Sequence, residues 1–421
     1  MMSRLPQACD AFCREPYRLF FPLGVLAGLL GIGHWFAFGF ALSDSYSGMF
    51  HSTVQVLVYM NCFIAGFLLT ALPRFTQTPH ASRGELVGFL LIMGAILFCA
   101  FHAWWIIADA LFAVWLMWLV VYVLKRIKNR PPASSGSGRP PIELVWIPFG
   151  VVNGFTGTVL HIVGQLGGPH WALSVGKPLM DQGFLLSVVI GVGGFLIPRL
   201  MGTYAPQAVD RDKPTNADPA TSSASLPTPA LHMAYAAALF VSFWMEGLGA
   251  PSLGYGLRAA VVTAAFAASR ALPRLPKVNE LYVKMAYTSV WLTAAGYWGA
   301  ALLPDFQKEM LHITFIGGFS LMTFSVASMV ILTHAGAIEL LRKPLWVLWT
   351  VAAGLTIALA ERFLAVIFAD QYFRWLGYSS ACWMLAAIIW LLFMAKYFMT
   401  VPPTDEFGRM HQASKTRMKS C

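Results

Sequence analysis

Met49–Gln77, MFHSTVQVLVYMNCFIAGFLLTALPRFTQ, decides the fold class. A histidine stands just after a short polar segment (Ser43–Gly48), and about a membrane's width of apolar residues follows. Pro73-Arg74 then closes the run with a helix stop and a positive charge. A histidine at one face of a bilayer and a basic anchor at the other describe an oriented transmembrane helix with chemistry at one end. Met310–Gly336, MLHITFIGGFSLMTFSVASMVILTHAG, repeats the plan and again opens Met-x-His.

The rest of the chain agrees with that reading. Its 421 residues are 57% hydrophobic and only 11% charged, with a mean hydropathy of +0.64. A soluble domain carries about a quarter charged residues, so the composition implies an all-α, polytopic membrane protein. The net charge of +10 then belongs to loops on one side of a membrane and not to a nucleic-acid surface. The six cysteines form no CxxC or CxxCH, which excludes covalent c-type haem and a thioredoxin-like motif. Cys9 and Cys13 read as cytosolic thiols.

Apolar runs punctuated by charge, Pro or Gly predict about twelve spans, near residues 18–41, 50–72, 86–106, 108–125, 143–166, 179–198, 230–249, 253–271, 281–303, 310–333, 345–368 and 376–398. The break between the third and fourth rests on Asp109. Residues 1–17 read as a cytoplasmic segment, 18–398 as one transmembrane domain, 126–141 and 204–229 as flexible cytoplasmic loops, and 399–421 as a basic cytoplasmic tail. With both termini inside, all but five of the 29 Lys and Arg fall on the cytoplasmic side. The exceptions are Lys177, Arg258, Lys308, Arg362 and Arg374.

This topology gives each histidine a depth. His34, His51, His102, His161, His170 and His312 gather at the periplasmic side, while His80, His232, His334 and His411 lie at or beyond the inner face. Imidazoles in lipid are costly without partners, and neutral imidazole is the common side-chain ligand of iron and copper. A b-type haem held by one or two histidines, in a slot lined by aromatics such as Trp35, Trp104, Trp105 and Phe315, accounts for the cluster. His51 and His312 are the leading ligands, with His34, His102 and His161 as candidates for a second ligand or site. Arg362 suits a haem propionate. Met49 and Met310, each two residues before a histidine, add thioethers that favour copper. His312 and His334 share a helix but lie about 33 Å apart, too far to bind one metal. Gly33-His34-Trp35 with Met49-Phe50-His51 also parallels Gly296-Tyr297-Trp298 with Met310-Leu311-His312, an internal similarity that makes Tyr297 a proton-donor candidate.

His51 followed by Ile64-Ala65-Gly66-Phe67-Leu68-Leu69-Thr70-Ala71-Leu72-Pro73 resembles the second helix of NnrS proteins. Thr333-His334-Ala335-Gly336 and Gly193-Gly194-Phe195-Leu196-Ile197-Pro198 are similar to further elements of that family. The resemblance implies a haem- and copper-containing bacterial inner-membrane protein that acts in nitric oxide metabolism, denitrification or protection against nitrosative stress. Nitric oxide would be its small molecule and a quinol or cytochrome its redox partner. His51, His312 and His334 match family histidines and are the implied metal ligands, beside Met49 and Met310. The chain departs where the family has a second histidine and a glutamate (here Thr53 and Val54), at Met329 in place of an arginine, and at Arg74-Phe75 in place of Asn-Trp. The alternative reading is a small-solute or metal transporter without haem, for which Gly-rich residues 191–198 would be a broken helix. A haem-copper oxidase or nitric-oxide reductase type of enzyme ranks third, since no closely spaced histidine cluster is present.

Overall fold

The computed structural model describes residues 10–130, 141–203 and 229–400. These residues form twelve long helices and no strand. The helices are α1 (Tyr17–Gly39), α2 (Gly48–Thr76), α3 (Arg83–Phe101), α4 (Trp105–Lys128), α5 (Ile142–Gln165) and α6 (His170–Leu200). They continue as α7 (Pro229–Gly247), α8 (Pro251–Ala268), α9 (Leu281–Leu302), α10 (Pro304–His334), α11 (Trp346–Ile367) and α12 (Ala369–Met399). Nine are long and apolar enough to cross a membrane; α7, α8 and α9 fall short in apolar content. The proposed flexible segments lie mostly outside the described residues, as does the basic tail. One part of them is corrected. Arg126–Lys128 continue α4, because Glu85 of α3 holds the buried Arg126 guanidinium at 2.6 and 2.7 Å and the Tyr122 ring lies beneath it.

Helices adjacent in sequence pack side by side, and α12 returns to pack along α1. Three helices are set apart by burial. Among the spanning candidates, 83% of the most apolar window of α2 is buried, 78% of α6 and 72% of α10, against 28% to 44% for the others. They form the inside of the bundle. They also share a pattern in the chain, each being the second helix of a set of four (α1–α4, α5–α8, α9–α12). Each is interrupted by a wider π-helical segment: Val54–Met60 in α2, Leu179–Gly183 in α6 and Ile313–Ser320 in α10. The similarity between the regions of His51 and His312 thus extends to a third element.

The turn between α3 and α4 lies at residues 102–104 and not at Asp109. The chain reverses there with Ala103 in the left-handed region at φ 55°. Asp109 stays inside α4, where a histidine and a glutamine satisfy it. At this end of the bundle the connections are short and only Lys177, Arg258, Lys308, Arg362 and Arg374 supply Lys or Arg. We refer to it as the charge-poor end and to the other as the basic end.

Candidate functional site

Ser47 begins α2 by accepting the Phe50 backbone N–H on its side chain, which sets His51 one turn into the helix. The His51 ring is then held by α1: its Nδ1–H donates to the Gly31 carbonyl at 2.9 Å. Glycine at 31 gives α2 room here: a Cβ would stand 2.6 Å from the Gln55 amide nitrogen and 3.1 Å from a Val54 methyl. Gln55 in turn donates to the Gly28 carbonyl at 2.8 Å. On α10, His312 is held in the same way, its Nδ1–H donating to the Lys308 carbonyl at 2.6 Å. A carbonyl can only accept, so in each neutral ring the proton sits on Nδ1 and the lone pair on Nε2.

Both histidines line one cavity of about 540 Å3 between α1, α2, α6, α10, α11 and α12, a volume in the roughly 300–1,000 Å3 range of small-molecule and cofactor sites. Neither Nε2 makes a hydrogen bond to the protein. All three π-helical segments contribute to its wall, through Gln55 and Tyr59 from α2, Asp181 and Gln182 from α6, and Phe315 and Phe319 from α10. A π turn displaces the following side chains around the axis, and such turns concentrate at functional sites.

Three of the five cations at the charge-poor end also line this cavity: Lys177, Lys308 and Arg362. Lys177 pairs with Asp181 at 2.7 Å. Arg362, buried in α11, donates to the Tyr372 hydroxyl at 3.1 Å and lies 3.7 Å from Glu309. A fourth, Arg258, is wholly buried just behind the wall, on Glu246 at 2.6 Å and on the wall residue Gln182 at 3.0 Å. Aromatic rings close the rest, among them Trp35, Tyr59, Phe315 and Trp383. The Tyr59 hydroxyl is buried there with the Ser320 side chain close by, and Oδ1 of Asp181 is buried without a hydrogen-bond partner among the described residues.

The remaining candidates separate. His34 lies beside the site, its ring centroid 6.1 Å from that of His51; neither of its ring nitrogens makes a hydrogen bond, although backbone groups of Gly31 and Ser47 lie close by. Met310 lies over Gly299 of α9, where a Cβ would stand 2.6 Å from its sulfur, and Met49 does not line the cavity. Met310 thus packs between helices, while Met49 is half-buried. His102 is exposed in the α3–α4 turn, edge-on to Phe98. His161 is buried between α5 and α4, with Nδ1 on Asp109 at 2.8 Å. His334 is at the basic end and has both ring nitrogens in use: Arg74 donates to Nε2 at 2.6 Å, and Nδ1–H donates to Glu15 at 3.0 Å. That leaves it no lone pair for a metal. Tyr297 is buried against Arg258 and does not line the cavity. Among the described residues, no three His, Cys, Asp or Glu side chains converge as a metal-binding group.

Sequence reasoning passed over Lys177, Asp181, Lys308 and the two glutamines. Lys177 and Lys308 were visible as exceptions to the one-sided distribution of positive charge, and Gln55 and Gln182 as polar side chains within apolar runs. The π-helical segments have no sequence signal of their own.

Taken together, the molecule is an all-helical polytopic membrane protein whose three innermost helices enclose a cavity lined by imidazole and cations. The family model described as NnrS protein matches residues 11–401, and the chain belongs to that family. No curated protein matches it.

Proposed function

We propose that the protein is a haem-binding protein of the bacterial inner membrane that acts on nitric oxide, in its metabolism or in protection against nitrosative stress. The observation that carries this reading is the pair of imidazoles, His51 and His312, on separate central helices. Each has Nδ1–H tied to a backbone carbonyl and Nε2 left bare at one cavity. A carbonyl on Nδ1 is the usual outer-shell partner of a metal-bound histidine, because it fixes the tautomer and the ring and raises the basicity of Nε2.

The other residues suit the same ligand. His51 and His312 would be the residues that hold the haem, and Trp35, Phe315 and Trp383 would form an apolar wall that keeps water out. Arg362, Lys308 and Lys177 would offer positive charge to the propionates; Arg362 is held in place by Tyr372, so its fork is ordered in advance. Haem, when bound, would supply one-electron chemistry and a binding point for nitric oxide. A separate copper site has less support, because Met310 packs against Gly299 of α9, Met49 does not line the cavity, and no three-ligand group forms among the described residues. The one-sided charge supports twelve spans with cytoplasmic termini, which puts the cavity on the periplasmic side. The cavity reaches only to Tyr59, Ser320 and Trp383, about halfway along their helices. A resident cofactor explains such a blind pocket better than a path for solute. Purified in detergent after expression with adequate haem, the protein is expected to show a Soret band that shifts when nitric oxide is added to the reduced form. A protein without that band would sink the proposal.

A further inference from the structure

The Asp109–His161 pair takes no part in the cavity described above. Asp109 is 2% and His161 4% exposed, each within a membrane helix. Asp109 Oδ2 accepts Nδ1–H of His161 at 2.8 Å and the amide of Gln165 at 2.6 Å. An ionisable pair kept inside a membrane is costly, and such pairs mark functional sites. Gln165 has a second face. It lines, with Ala103, Trp104, Trp105, Ile106 and Ile107, a concavity of about 380 Å3 that is widely open at the surface, and it is the one polar side chain there. With its amide nitrogen committed to Asp109, the carbonyl oxygen of Gln165 is the group left for a ligand.

We propose that this concavity docks the head group of a lipid-soluble hydroquinone, with Gln165 as hydrogen-bond acceptor and the Asp109–His161 pair behind it. Two indoles offer aromatic surface to a flat ring. The ring hydroxyls are donors and require acceptors, which Gln165 supplies. An isoprenoid tail would lie along the exposed apolar faces of Ile107, Val114 and Val163. No charged side chain lines the concavity, so a phospholipid phosphate finds no cation there. A water-soluble ligand would meet almost wholly apolar walls. The pair also touches the framework of the first cavity. The His161 backbone packs on Gly176, where a Cβ would stand 2.5 Å from its nitrogen, and the next residue, Lys177, lines that cavity.

The probe is a short-tailed ubiquinone analogue bearing an aryl azide, photolysed with the full-length protein in lipid nanodiscs. Saturable labelling of residues 103–107 or 163–167, displaced by unlabelled decylubiquinone, is expected. Gln165→Leu should weaken it about fivefold through the lost hydrogen bond. Trp104→Leu, at a half-exposed position where folding is not at stake, should weaken it as well. Labelling that does not saturate, that falls elsewhere, or that both variants retain at full strength would overturn the proposal. The haem reading is separately scored by the Soret band: haem without quinone labelling removes only this inference, and labelling without haem removes only that reading.

Discussion

One helix carries two histidines with opposite arrangements. At the charge-poor end of α10, His312 uses one ring nitrogen to hold itself still and leaves the other bare at a cavity wall. At the basic end of the same helix, His334 spends both nitrogens, one receiving from Arg74 and one donating to Glu15, with the Tyr17 ring edge-on at 5.2 Å. The surroundings differ in the same sense. Around His312 the cations Lys177, Lys308 and Arg362 face a cavity; around His334, Arg18 and Arg74 are matched directly by Glu15, and Arg18 also reaches the carbonyls of Phe398 and Thr400 at 2.8 and 2.7 Å. Charge at the first end is available to a ligand, while charge at the second ties the N-terminal segment to α1, α2, α10 and the end of α12. A histidine's role is therefore read from what holds its two nitrogens, not from its presence in a span.

The largest effect that separates the two ends is on haem. His51→Ala or His312→Ala should abolish bound haem, whereas His334→Ala should retain it in full, as scored by the Soret band per mole of purified protein. Loss in all three, or in none, would erase the distinction. A smaller effect is expected of Arg362→Leu, which removes charge from the cavity but no ligand and should weaken haem retention about tenfold. Arg362→Lys should recover part of it. Because Glu309 loses its neighbour in the leucine variant, melting temperature is measured alongside; an equal loss of haem in the lysine variant would point to structure and not to charge.

Much of this contrast was legible in the chain. The twelve helices appear in the predicted order, and the repeated Met-x-His opening correctly paired two helices that share a cavity. The errors came where tertiary partners override local signals. Asp109 read as a break because a lone carboxylate in an apolar run is expensive, but His161 and Gln165 on the neighbouring helix satisfy it. Likewise α6 begins at His170, nine residues before its predicted start. Lys177-Pro178 looked like loop sequence, yet Lys177 pairs one turn ahead with Asp181, and Pro178 sits where the helix widens into its π segment. Which of the histidines at the charge-poor end would converge could not be read from depth alone. That depends on how α2 and α10 rotate about their axes, and the π segments set the rotation.

The basic end gives the next test. Glu15→Gln removes the acceptor shared by Arg18, Arg74 and His334 and should cost about 2 kcal/mol of stability without changing haem content. The measurement is thermal unfolding of the detergent-purified variant beside its absorbance spectrum. A Soret band lost together with stability would mean that the two ends are coupled and the contrast between them is false.

The smallest effect is the pH dependence of that clamp. Burial by itself pushes the Glu15 carboxyl up, but the hydrogen bond from His334 and the charge and hydrogen bond of Arg18 outweigh it and hold the group at about 2, against an ordinary 4.5. A carboxylate whose pKa is depressed by folding stabilises the native state fully above its unfolded value, and the contribution disappears as pH falls through the folded one. The advantage of the wild-type protein over Glu15→Gln should therefore be constant above about pH 4.5 and shrink between 4.5 and 2, so that the two melting curves converge on acidification. Parallel curves across that window would show that the glutamate acts as a neutral hydrogen-bond acceptor and that its charge does not hold the basic end together.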